Sequence, residues 1–174
     1  MKTQRMQWVV FFVLITIGLS ATIQAHALPQ FLTLPFDDPG VKLQQGWLYD
    51  FTPQKPLCSK KNSDYPYCHY GIDYVKGEVD QPDTWVSFNV LAVAEGRARY
   101  LPGHSKSWGN YVITKHTVSG VDFYTINAHL ASSPLPPKQW VNITKGQLVG
   151  VAGESGKSGG LLHLHFEVYR DRII

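Results

Sequence analysis

The segment Leu162-His163-Leu164-His165-Phe166-Glu167-Val168 alternates apolar and polar residues with a period of two. A helix would spread these side chains around its circumference. An extended strand sends His163, His165 and Glu167 to one face and Leu164, Phe166 and Val168 to the other. The chain must therefore supply a sheet that covers an apolar row on one side and displays two imidazoles and a carboxylate on the other. Imidazole is a common metal ligand and the side chain most easily poised to move protons near neutrality. Two histidines at this spacing also occur on ordinary solvated strands, so the reading turns on partners elsewhere in the chain.

Such partners stand in Cys68-His69-Tyr70-Gly71-Ile72-Asp73-Tyr74-Val75. Read as a strand, this segment puts His69, Gly71 and Asp73 on one face and Tyr70, Ile72 and Tyr74 on the other. Imidazole, no side chain and carboxylate make a metal-binding face, with Gly71 leaving open the space that a cation and its substrate need. His69, Asp73 and one of His163 and His165 would give two nitrogens and one oxygen to a tetrahedral zinc. The fourth position would remain for water, the pattern of catalytic rather than structural zinc. A third element, Phe123-Tyr124-Thr125-Ile126-Asn127-Ala128-His129-Leu130, places His129 where a β-branched run gives way to Ala131-Ser132-Ser133-Pro134. Strand ends and loops are where catalytic groups are usually displayed.

Taken in order, His69-x-x-x-Asp73, Gly109-Asn110-Tyr111-Val112-Ile113, Ala128-His129-Leu130, Gly153-x-x-Gly156-x-x-Gly159 and His163-Leu164-His165-Phe166-Glu167-Val168 resemble the lysostaphin-type (LytM-like) zinc endopeptidases of bacterial cell walls. The likeness runs from about Leu43 to the C-terminus. It implies an all-β, antiparallel two-sheet peptidase domain with a zinc cleft floored by the sheet. It also implies that His69, Asp73 and His165 hold one zinc ion while His129 and His163 are the catalytic histidines. The alternation alone leaves open which of His163 and His165 is the ligand. One position departs from the pattern: many relatives carry tyrosine two residues before the histidine matching His129, and here that residue is Asn127.

The function expected is hydrolysis of peptide bonds in peptidoglycan cross-links or stems by an exported zinc metalloendopeptidase, acting as a monomer on peptidoglycan peptide. The alternative is a non-catalytic domain of the same fold that binds and activates cell-wall amidases, although such members typically lose zinc ligands and this chain keeps all three. Action on other bacterial proteins or on glycine-rich peptides is a third reading.

Export follows from the N-terminus. Lys2 and Arg5 precede the apolar run Trp8 to Leu19, and the small-residue site Ala25-His26-Ala27 follows, the three-part layout of a secretory signal. The run is shorter than the about twenty residues of a spanning helix. The reading is therefore a signal peptide over 1–27, cleaved after Ala27, with a secreted or periplasmic product that keeps no membrane insertion. The competing reading is an uncleaved anchor at the outer face of the inner membrane. An arm or linker is expected over 28–42 and the peptidase domain over 43–174. Loss of the signal would take two basic residues and no acid, leaving 14 basic against 13 acidic residues in place of 16 against 13. So balanced a chain has no strongly basic face for nucleic acid.

Cys58 and Cys68 are the only cysteines. In an exported chain so close a pair reads as a disulfide. Closing the loop would contribute roughly 2 to 3 kcal/mol in the chain-entropy model and hold the segment before His69.

After the signal no convincing ten-residue helix can be traced. Val90 to Ala94 followed by Gly96 to Tyr100 reads as a strand pair or one bent strand. Tyr111 to Lys115 and Val121 to Ile126 read as a hairpin across Ser119-Gly120, and Gln147 to Ala152 as another strand. Gly156-Lys157-Ser158 is no phosphate loop, because a strand follows where a helix N-terminus would be needed. The glycine cluster 153–160 reads instead as a flexible loop beside the cleft, and His116 as a structural histidine.

Overall fold

In the computed structural model, which describes residues 32–45, 69 and 71–170, the alternating segments are strands and the glycine- and proline-bearing segments between them are turns. The strands are β1 (Val41–Gln45), β2 (Ile72–Lys76), β3 (Asn89–Leu91), β4 (Gly96–Ser105), β5 (Gly109–Val118), β6 (Val121–Ala128), β7 (Leu130–Ser132), β8 (Trp140–Ile143), β9 (Leu148–Ala152) and β10 (Leu164–Arg170). A 3-10 turn at Pro82–Thr84 is the one helical element among the described residues. They lie in a single compact unit, Phe31–Ile174. No helix among them is long and apolar enough to cross a membrane. The signal over 1–27 and the Cys58 and Cys68 pair lie outside the described residues.

Seven strands form one sheet in the order β1-β2-β10-β6-β5-β4-β8, and three form a second in the order β3-β9-β7. Every pairing between these strands is antiparallel. The fold is the expected all-β, two-sheet one. The β5–β6 hairpin closes as expected: Val118 faces Val121, and Ser119 and Gly120 both take positive φ, 51° and 77°. Positive φ at both central residues is the two-residue turn whose twist matches its strands.

The main core lies between the sheets. Ala98, Val112, Leu164 and Phe166 of the larger sheet meet Val90, Leu130, Val149 and Ala152 of the smaller one. Each fully buried aliphatic side chain of this kind stabilises the fold by about 1.5 to 3 kcal/mol. A second cluster, Leu101, Tyr111, Ile126 and Ala128, occupies the opposite face of the larger sheet. Ahead of β1, Thr33 donates its N–H to Val93 O at 2.9 Å and Pro35 O accepts from Leu91 at 2.8 Å.

Two local expectations are corrected, and one strand has no counterpart in the sequence reading. Residues 90–94 and 96–100 are neither a strand pair nor one bent strand, because β3 and β4 belong to different sheets and the buried stretch Ala92–Ala94 carries the chain between them. Val168 shares its direction with Leu164 and Phe166 but is 50% exposed, lying past the edge of the smaller sheet's cover. Strand β8, whose Ile143 enters the core, carries no alternation long enough to be read beforehand.

Candidate active site

The larger sheet's strand order assembles the site. β10 inserts between β2 and β6, so His165 lies opposite Asp73 on one side and Ala128 on the other. His69 stands just ahead of β2, and His129 follows the last residue of β6. Segments distant in sequence thereby converge at one end of the sheet, on the face away from the main core.

Nε2 of His69, Oδ1 of Asp73 and Nδ1 of His165 form a near-equilateral triangle. His69 to Asp73 measures 3.1 Å, His69 to His165 3.0 Å, and His165 to Asp73 2.9 Å. These three residues could hold a metal ion. Two imidazole nitrogens and a carboxylate oxygen suit zinc, and an edge near 3 Å approaches the about 3.4 Å of a tetrahedron with bonds of about 2.1 Å. Gly71 supports the triangle differently from expectation. A Cβ there would lie 2.5 Å from Cε1 and 2.6 Å from Nε2 of His165. The glycine makes room for the His165 ring itself, not for a cation or substrate.

His163 joins from the bridge it makes with Gly153 just before β10, its Nε2 3.7 Å from Asp73 Oδ2. Its Nδ1–H donates to Leu161 O at 2.9 Å, and that of His129 donates to Ser155 O at 2.7 Å. Both rings therefore keep an Nε2 lone pair free for chemistry. Their centroids are 4.7 Å apart, and the His129 ring is 5.6 Å from that of His165. His129 has φ of 60°. A non-glycine residue in that region carries a cost of order 1 to 3 kcal/mol and is characteristic of functional sites.

Burial sets the electrostatics. It pushes the His129 imidazole down, His163 pushes further, and the Ser155 carbonyl offsets only part, leaving it at about 4. His163 is lowered too, by burial, against the pull of Asp73. Both are neutral at pH 7 and able to accept a proton. Burial also opposes charge on Asp73, yet hydrogen bonding to His165 and His69 holds its carboxyl well below the usual range. At His165 burial is outweighed by Asp73 and Glu167, which raise the imidazole to about 9.

Glu167 has a role that alternation placed on the right face but did not assign. Its Oε1 accepts from His165 Nε2–H at 2.6 Å and from Trp108 Nε1–H at 3.0 Å, and its Oε2 accepts from the Tyr169 hydroxyl. Trp108 has no local sequence signal, since it sits in the β4–β5 turn. Asn127 lies opposite Phe166 and Val112, inside the main core and away from His165. The departure from tyrosine at this position therefore does not touch the cleft. His116 is structural, as expected: it donates Nδ1–H to Glu95 O at 2.7 Å, meets Thr125 Oγ1 at 3.0 Å and stacks on Phe123.

The 153–158 part of the glycine loop is pinned, contrary to the flexible loop expected. Ser155 Oγ accepts from Asn110 N–H at 2.9 Å and donates to Leu130 O at 2.9 Å, while Lys157 N–H donates to Ser107 O at 2.9 Å. The site opens into a cleft of about 910 Å³ whose walls include Trp85, Ser107, Trp108, Lys157, Leu161 and Tyr169.

The fold is shared with solved structures. A zinc-containing peptidase from Vibrio cholerae is 23% identical, with a TM-score of 0.55 over 81% of this chain and 37% of that one. The present chain thus spans little more than a third of that protein. The catalytic domain of the prophage-encoded M23 protein EnpA from Enterococcus faecalis, solved as a mutant, is 16% identical, with a TM-score of 0.54 over 80% of this chain and 88% of that one. The SpoIIQ-SpoIIIAH pore-forming complex contains a chain 18% identical, with a TM-score of 0.58 over 82% of this chain and 85% of that one. A search of curated protein sequences returned no match. The family model of peptidase family M23 matches residues 67–173. Since that match takes in more than half of the sequence, the chain belongs to peptidase family M23.

Proposed function

We propose that this chain is an exported zinc metalloendopeptidase that hydrolyses peptide bonds in peptidoglycan cross-links or stems. The observation that carries the reading is the 3 Å triangle of His69, Asp73 and His165 set beside two neutral imidazoles. His69, Asp73 and His165 would hold one zinc ion, which when bound supplies a Lewis acid for the peptide carbonyl and acidifies water. His129 and His163 carry the proton work. With Nδ1–H fixed on a backbone carbonyl, each offers Nε2 to take a proton from the attacking water and return it to the leaving amine. The walls of Trp85, Trp108 and Tyr169 would receive an extended peptide and exclude water.

Export rests on the basic, apolar and small-residue order of 1–27, and cleavage after Ala27 would release a monomeric, secreted or periplasmic enzyme. The fold shared with the SpoIIQ-SpoIIIAH pore-forming complex keeps a second reading open, a domain that binds a protein partner such as a cell-wall amidase instead of cutting. One experiment separates the two. The purified protein is assayed for bound zinc, incubated with peptidoglycan, and the released fragments are identified by mass spectrometry. Stoichiometric zinc with new peptide ends supports the enzyme. Absence of zinc, or release that is the same with His163→Ala, overturns it.

A further inference from the structure

We infer that Trp108 is a positioning residue that orients the metal ligand His165 through Glu167 and anchors His129 through its own backbone carbonyl. The inference rests on the reading that His165 holds zinc. Two hydrogen bonds carry it. The Trp108 indole N–H donates to Glu167 Oε1 at 3.0 Å, and Trp108 O accepts the His129 backbone N–H at 2.9 Å.

The first arm sets a ring. Glu167 is 4% exposed, and all its hydrogen-bonding neighbours are donors: His165, Trp108 and Tyr169. A buried carboxylate held in this way accepts Nε2–H of His165 and turns Nδ1 toward His69 and Asp73, where Nδ1 would give up its hydrogen and present its lone pair when a metal ion binds. Carboxylates of this kind commonly fix the tautomer and direction of a metal-binding histidine. Without the indole donor, Oε1 of Glu167 would lose one of its two hydrogen bonds and be freer to swing, carrying His165 with it.

The second arm sets a backbone. His129 occupies a strained conformation at the end of β6, and the Trp108 carbonyl meets its N–H there. Trp108 is itself held, its N–H on Ser105 Oγ at 3.0 Å and its ring edge-on to Tyr111 at 5.1 Å. Next to it Gly109, with φ of 64°, lies against Gly156, whose Cβ would come within 2.3 Å of Gly109 N. The β4–β5 turn is therefore closely packed and hydrogen-bonded, and one residue in it contacts both the support of the ligand ring and the backbone of the proton-transfer ring.

The test uses Trp108→Phe, which keeps an aromatic ring and the backbone carbonyl but loses the indole N–H together with part of the ring's bulk, and the second variant separates the two losses. Tyr169→Phe removes a second donor to Glu167 and serves as an independent variant. Zinc dissociation constants are measured by competition with a chromophoric chelator, and cobalt(II) is loaded in place of zinc to read ligand geometry from its visible absorption. The expected result is zinc affinity weakened about tenfold in each variant, the lower end of such losses. Altered cobalt bands and a kcat that falls while KM holds should accompany it, with thermal stability close to wild type. Trp108→Phe that binds zinc and absorbs as wild type does would overturn the inference and leave the proposed function standing. Wild-type protein that takes up no zinc would overturn both.

Discussion

The rings of His129 and His163 lie with centroids 4.7 Å apart and planes inclined at 54°, each ring tethered by Nδ1–H to a backbone carbonyl. Two imidazoles this close disfavour a shared double charge, so a proton taken by one makes the other a poorer base. They should behave as a unit. His129→Ala and His163→Ala are each expected to lower kcat by about a hundredfold to ten-thousandfold with zinc content unchanged. The double variant should lose little beyond the worse single one. Turnover of a defined cross-linked peptide, measured with metal analysis of the same samples, checks this. Fully multiplicative losses would mean that the two histidines act independently.

Gly71→Ala should disable the site without replacing a ligand. The new Cβ would meet Cε1 and Nε2 of His165 at 2.5 and 2.6 Å and Phe166 O at 2.9 Å, and the backbone oxygen cannot yield as a flexible chain end could. Displacing the His165 ring is expected to weaken zinc binding by at least about tenfold, the scale seen when a ligand's support is lost. Metal retained after gel filtration reads the effect directly. Retention equal to wild type would show that β10 can shift to absorb the methyl group.

After removal of metal by chelation, stability should peak near pH 6.5 and fall on both sides. His129 binds a proton more weakly folded, at about 4, than unfolded, at about 6.5. Between these values the unfolded chain takes up more protons, so stability drops as the pH falls through that window. His163, also lowered, acts in the same direction. His165 is the opposite case, raised to about 9, so its contribution is complete below about 6.5 and disappears as the pH rises through 9. Each proton supports a slope of up to about 1.4 kcal/mol per pH unit. Urea midpoints at pH 5, 6.5 and 9 test the bell shape, and zinc should flatten its alkaline side because a coordinated imidazole must be neutral.

Asn127→Leu should stabilise the protein. Oδ1 of Asn127 is buried without a hydrogen-bond partner, in a side chain 2% exposed between Val112 and Phe166. An unsatisfied buried acceptor costs about 1 to 3 kcal/mol, and a leucine of similar size removes it. A gain of about 1 kcal/mol in urea unfolding is expected, with peptide cleavage unaffected. A lower midpoint would show that the amide is supported within the core.

Alternation reads the faces of the functional strands correctly because it depends only on local geometry: His165 and Asp73 do share a side, and Leu164 and Phe166 do enter the core. It cannot reveal that β10 inserts between β2 and β6, since strand order depends on the packing of both sheets. Gly71 is recognisable as a required glycine, while the ring it accommodates belongs to a strand far away in sequence. Trp108 is invisible for the same reason, its indole in the β4–β5 turn meeting Glu167 on β10, far away in sequence. The glycine cluster suggests freedom. Residues 153–158 are fixed by two hydrogen bonds of the Ser155 hydroxyl and one backbone hydrogen bond from Lys157 that no composition rule could anticipate.

His129 is the single residue between β6, which belongs to the larger sheet, and β7, which belongs to the smaller one. Its neighbour Ala128 is buried with Tyr111 on the cleft side, and its other neighbour Leu130 is buried in the interior between the sheets. The imidazole thus rides on the crease of the sandwich, and its place in the cleft is set jointly by the two sheets. A change of interior volume at Val149 or Ala152, where no chemistry occurs, would reach the cleft as a displacement of that ring.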